Sequence, residues 1–259
     1  MRTLYHSNRI LTLTGWFHVL LVVVLLLIFP FDSRTILGIS PWIKPIKFSV
    51  SIAIYVWTLA WYMRYLVDRA REVQIISWGV AISMVTEITC IVMQPARGTT
   101  SHFNGATPFD AGIFIFMGIM IGLNAVLAGW TLVLFCTSQL LPIPPAYAWG
   151  IRCGLLLFLL AGAEAGFMIR HHAHTVGGPD GGVGLPFINW SREHGDLRVA
   201  HFLGMHALQV LPFTGFLLGR SRRAESGQLR YILGFAFLYL VATLVLTWMA
   251  LQGRPLVAL

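Results

Sequence analysis

Residues 10–30 read ILTLTGWFHVLLVVVLLLIFP, a run of 21 residues in which His18 is the one ionisable side chain. At about 1.5 Å per residue such a helix rises about 30 Å, the thickness of the hydrocarbon core of a bilayer. Arg2 and Arg9 precede it, as basic residues precede a signal peptide, but it closes on Phe29-Pro30-Phe31-Asp32 without a small-x-small cleavage site. It is therefore expected to stay in place as a first transmembrane helix.

The rest of the chain repeats this pattern. Further apolar segments at about 47–66, 74–93, 109–137, 146–170, 197–219 and 229–251 are each long enough to span, and none alternates with the period of two that a membrane barrel requires. The 259 residues are 57% apolar and 11% charged, with 17 Phe, 9 Trp and 7 Tyr, and the mean hydropathy is +0.75. A soluble domain carries roughly 25% charged residues, and a disordered chain has few aromatics, so both are excluded. The fold class expected is an all-α membrane protein, a seven-transmembrane helix bundle forming a single integral-membrane domain over residues 1–259. The lipid bilayer is its first partner.

Three long linkers, 31–46, 94–108 and 171–196, alternate with three short ones, around 67–73, 142–145 and 220–228. Successive linkers of a seven-span chain lie on opposite sides, so the long ones share a face with the carboxy terminus. The net charge of +8 comes from Lys and Arg at the ends of apolar runs, which is a topology signal and gives no reason to invoke nucleic acid. Ten basic residues fall on the short-linker face and eight on the other. The dense arginines near Arg69 and Arg222 put the short linkers and the amino terminus in the cytoplasm, with the long linkers and the carboxy terminus outside a plasma (inner) membrane. Within the long linkers, Pro41-Trp42-Ile43-Lys44-Pro45-Ile46-Lys47 predicts an interfacial or re-entrant segment. The stretch from Gly177 to Pro186 predicts an ordered turn or a lid. Cys90, Cys136 and Cys153 lie in apolar segments without metal-ligand spacing and read as packing residues.

An ionisable side chain in hydrocarbon costs roughly 2.5–3.5 kcal/mol on insertion scales, so each one present calls for a function. His18, Glu87, Glu164, His201 and His206 meet that description. Glu87, Cys90 and Gln94 share a face of the third span, and Glu164, Met168, His171 and His174 form a stripe down the fifth. The run Ala161-Gly162-Ala163-Glu164-Ala165-Gly166 surrounds its carboxylate with small residues, which permits close helix approach or leaves room for a flat group. His201 and His206, five apart, differ by about 140° around their helix and face different partners. Of nine histidines, His102, His171, His172, His174 and His194 lie in the long linkers.

This crowding of imidazole toward one face predicts an outward-facing buried site with Glu87 and Glu164 as its catalytic carboxylates. Haem would be held by His18 and His206, with Gln209 one turn beyond His206. A Zn, Cu or Fe ion would instead draw on His201, His206, His102, His171 and His174. Either cofactor implies a membrane oxidoreductase or metal-dependent hydrolase, with an electron-transfer or small-molecule partner at the outer face. The alternatives are a proton-coupled carrier of small molecules, in which buried carboxylates and histidines move protons, and a structural subunit of a membrane complex. Two known seven-helix patterns are missing. The final span has neither the histidine of the zinc amidohydrolases related to adiponectin receptors nor the lysine that a retinal Schiff base requires.

Overall fold

The computed structural model describes residues 1–258, with Arg2 described through its backbone alone. A short amino-terminal helix, α1 (Arg2–Ser7), leads into α2 (Arg9–Ile28), whose first turn is capped by the Asn8 side chain accepting from the Leu11 amide. The remaining helices are α3 (Ile43–Met63), α4 (Ala70–Ala96), α5 (Pro108–Thr137), α6 (Pro145–His171), α7 (Leu197–Gly219) and α8 (Glu225–Leu251). Among the described residues, the seven helices α2 to α8 are long and apolar enough to cross a membrane. Large apolar side chains exposed along them, such as Leu27, Ile119, Val126, Phe213 and Phe237, form the surface that lipid covers.

Several boundaries differ from the reading of the sequence, and α4 and α8 each begin four residues earlier than expected, at Ala70 and Glu225. The segment expected to lie in the interface is the first turn of α3, with Pro45 at its third position, where a missing N–H leaves no hydrogen bond unmade. α4 runs on through Gln94 and Pro95 to Ala96, which places Gln94 inside the helix.

The chain forms two compact units, Met1–Leu127 and Ala128–Leu259, with α5 beginning in the first and ending in the second. In the first unit α2, α3 and α4 pack on one another. Tyr55 on α3 donates to Asn124 on α5 at 2.9 Å, and Leu25, Trp42 and Ile46 make an apolar cluster where the α2 and α3 ends meet.

In the second unit α6, α7 and α8 pack on one another around Leu157, Ala207, Leu211, Ala236 and Tyr239. The α6–α7 approach is set by glycine. A Cβ at Gly150 would lie 2.6 Å from the Leu211 carbonyl oxygen, and one at Gly154 would lie 2.9 Å from that of Ala207. The small-residue run beside Glu164 contributes through Ala161, which abuts Gly204, while Gly162 and Gly166 face open space. α7 continues unbroken through Pro212.

Aspartate orders each long linker. Asp32 accepts from Arg34 and from the Trp42 indole N–H at 2.9 Å, and the Arg34 guanidinium holds its carboxyl well below the usual carboxylate range. Asp110 binds Arg97 at 2.7 Å, Gln94 at 2.9 Å and the Thr107 hydroxyl at 2.6 Å. The third linker is a folded structure. Its strands β1 (Thr175–Val176) and β2 (Gly195–Asp196) pair antiparallel, and Gly184 bridges to Ser191. Asp196, fully buried, caps α7 through the Arg198 amide and pairs with the Arg198 guanidinium at 2.6 Å.

Candidate functional site

The sequence-predicted residues divide between the units. His18, Glu87 and His102 belong to the first, and Glu164, His171, His174, His201, His206 and Gln209 to the second.

In the second unit, Glu164 on α6 and His201 on α7 come together. The His201 Nδ1 donates to the Ala161 carbonyl at 2.8 Å, which fixes the ring edge and places the proton of the neutral imidazole on Nδ1. The same nitrogen stands 4.0 Å from Glu164 Oε2. Glu164 is 8% exposed, and neither of its carboxylate oxygens has a hydrogen bond. α8 presents the Thr247 hydroxyl to it, but that hydroxyl donates to the Thr243 carbonyl at 3.0 Å. The carboxylate and imidazole therefore face each other inside the span, with the Thr247 hydroxyl of α8 beside the carboxylate.

Above this pair lies a second one. Where α6 ends, His172 adopts the left-handed conformation and turns the chain, so that His171 and His172 are exposed while His174 folds back. Its Nδ1 bonds Asp180 Oδ2 at 2.7 Å, and the same carboxylate accepts from the His174 amide at 3.1 Å and the Thr175 amide at 2.9 Å. Burial pushes the Asp180 carboxyl up, but the hydrogen bonds from His174 and Thr175 outweigh it and hold the group below the ordinary carboxylate range. His174 also acts electrostatically on His201. Asp180 and His174 thus form a pair in the linker that follows α6, and Glu164 and His201 a pair within the span.

His206 has a different environment. Its Nδ1 meets Gln209 Oε1 at 3.3 Å, and its ring packs on Phe202 at 4.3 Å between centroids. The expected association of His206 with Gln209 is present, on the side of α7 that the five-residue spacing from His201 implies.

In the first unit Glu87 is 2% exposed, its Oε2 has no hydrogen bond, and the Lys44 ammonium on α3 is the opposite charge acting on it. His18 is fully buried and its Nδ1 donates to the Thr14 carbonyl at 2.8 Å. His102 sits among the rings of Phe48, Phe103 and Phe114.

Among the described residues no three His, Cys, Asp or Glu side chains converge so as to hold a metal ion. Asp180 is the residue of this arrangement that sequence reading passed over. A single acid within Gly177-Gly178-Pro179-Asp180-Gly181-Gly182, in a chain with ten acidic residues, was the available signal.

The burial pattern and the seven long apolar helices define a polytopic helical membrane protein. Comparison with protein-family models, with curated proteins and with solved structures finds no match.

Proposed function

We propose that this protein is a proton-coupled carrier of small solutes, with Glu164 and His201 as its proton-binding pair. The observation that carries the reading is the 4.0 Å approach of His201 Nδ1 to a membrane-buried carboxylate whose two oxygens have no hydrogen bond. A structural role would satisfy such oxygens, because an unpaired buried polar group costs about 1–3 kcal/mol. Carboxylate and imidazole this close titrate as a unit, whose neutral state is either a carboxylic acid beside a neutral imidazole or a carboxylate beside an imidazolium that carries its second proton on Nε2. Release of that proton leaves one negative charge in the span, and uptake of a second leaves one positive charge. Either change alters the electrostatic cost of the site, and that alteration is what couples a proton to a conformational step.

His174 and Asp180 connect the pair with the aqueous face of the long linkers, which we place outside. Haem or metal chemistry at His206 receives less support. Its contacts are a glutamine and a phenylalanine, and the described residues supply no third ligand.

The test is transport in proteoliposomes carrying a trapped pH dye. Gradients of neutral sugars, amino acids and organic acids are imposed in turn. At least one class should drive proton movement in the wild type, and Glu164→Gln should abolish it while the protein stays folded. Proton movement with no solute class, or coupling unchanged in Glu164→Gln, contradicts the reading.

A further inference from the structure

Four buried polar atoms on the three packed helices of the first unit are left unmet by its own side chains. His18 Nε2 on α2, Ser49 Oγ on α3, and Ser83 Oγ and Glu87 Oε2 on α4 are buried without a hydrogen bond, and their residues are 0%, 0%, 0% and 2% exposed. These three helices pack on one another. Ser83 and Glu87 are four residues apart and share a face of α4. Met84, between them, presents its backbone carbonyl to the His18 ring, so His18 meets α4 at the level of these two residues. His18 and Glu87 also agree in depth, and Ser83 lies about one turn deeper on α4 than Glu87. His18 lies ten residues from the Ile28 end of α2, and Glu87 nine from the Ala96 end of α4. Both depths are about 14–15 Å at the helical rise.

The chemistry of these atoms selects a ligand. The proton of neutral His18 lies on Nδ1, which donates to the Thr14 carbonyl, so Nε2 is an acceptor. The Met84 carbonyl, an acceptor too, cannot serve it. The seryl oxygens can both donate and accept, and a carboxylate oxygen accepts. A ligand that both donates and accepts, is small enough to sit among packed helices and makes about three hydrogen bonds fits this set, and that ligand is water.

We infer that α2, α3 and α4 enclose bound water held by His18, Ser49, Ser83 and Glu87. Across it a proton on Glu87 Oε2 can pass to His18 Nε2, leaving carboxylate and imidazolium with the net charge unchanged. The inference stands on the first unit alone and does not rest on the Glu164 site.

Hydroxyl-radical footprinting of the full-length protein in nanodiscs tests it, because radicals generated from bound water mark adjacent side chains. Met84 shares the α4 face of Glu87 and is 4% exposed, and Met117, 2% exposed, is the buried internal control. Met84 should oxidise faster than Met117. The difference should disappear in the Ser49→Ala/Ser83→Ala double variant, which removes two of the four anchoring atoms, and persist in Glu87→Gln, which keeps a polar group there. If the double variant does not fold, the wild-type and Glu87→Gln rates decide. Equal oxidation of Met84 and Met117 in the wild type means a dry interior and overturns the inference, as does an undiminished difference in a folded double variant. A thermal stabilisation by sodium chloride over choline chloride that the double variant loses assigns the site to a cation and also overturns it.

Discussion

Glu164 and His201 are linked through one turn of α6. The imidazole Nδ1 that stands 4.0 Å from the Glu164 carboxylate is anchored 2.8 Å from the carbonyl of Ala161, three residues before Glu164 on the same helix. The ring's direction is thus set by the backbone that positions its carboxylate partner. His201→Ala should remove solute-driven proton movement, whereas His206→Ala, which disturbs only the contacts with Gln209 and Phe202, should retain it. The pair of variants is compared in the proteoliposome assay at equal reconstituted amounts.

The α6–α7 contact that makes this geometry possible depends on glycines of both helices, Gly150 and Gly154 against the α7 backbone and Gly215 against the Ala146 carbonyl. A side chain at Gly150 or Gly154 meets backbone that cannot yield, so Gly154→Val should destabilise by about 1–3 kcal/mol or more, as overpacking does. Gly162→Ala, with nothing within 4 Å of the new methyl group, should be close to neutral. Thermal unfolding in detergent, followed by tryptophan fluorescence, separates the two.

The Asp180 clasp has a pH signature. The carboxyl is held below its ordinary value in the folded protein, so its contribution is fully present above the unfolded value of about 3.9 and fades as pH falls below it. The Thr175 amide should be protected from hydrogen exchange near neutral pH and lose protection under acid. Asp180→Asn should remove that dependence and, by losing charge-assisted hydrogen bonds worth about 1.5–3 kcal/mol each, loosen the linker at every pH.

Single cysteines introduced into a cysteine-free background should be labelled from outside at Thr100 and Val183, and from inside at Ala70 and Ser226. The reverse pattern inverts the proposed orientation.

The seven spans were legible because hydropathy is a property of contiguous residues and a bilayer imposes one length on all of them. Their ends were less so. The stretch around Pro45 reads as an interfacial or re-entrant segment because proline breaks a helix interior, but in the first turn of α3 it loses no hydrogen bond. The candidate site was legible as a set of residue types at similar depths, and the different directions of His201 and His206 followed from helical angle. Which imidazole meets Glu164 was not legible, since it is decided by the α6–α7 approach at Gly150 and Gly154. The stripe assigned to Glu164, Met168, His171 and His174 ends at Met168, because His171, the last residue of α6, is exposed and the chain turns at His172 before reaching His174. The pairing of Asp180 with His174 arises from the fold of a glycine-rich linker that has no sequence period.

The most direct test of the account is an infrared titration of the protein in liposomes, read at the carbonyl stretch of protonated carboxylic acids while the outer pH is changed. A component absent from Glu164→Gln should titrate reversibly with outer pH, and His201→Asn, which removes the imidazole beside it, should shift its midpoint. A Glu164 component that does not respond to outer pH while the protein remains folded, or whose midpoint is the same without His201, would contradict the claim that these two residues form a proton-binding pair.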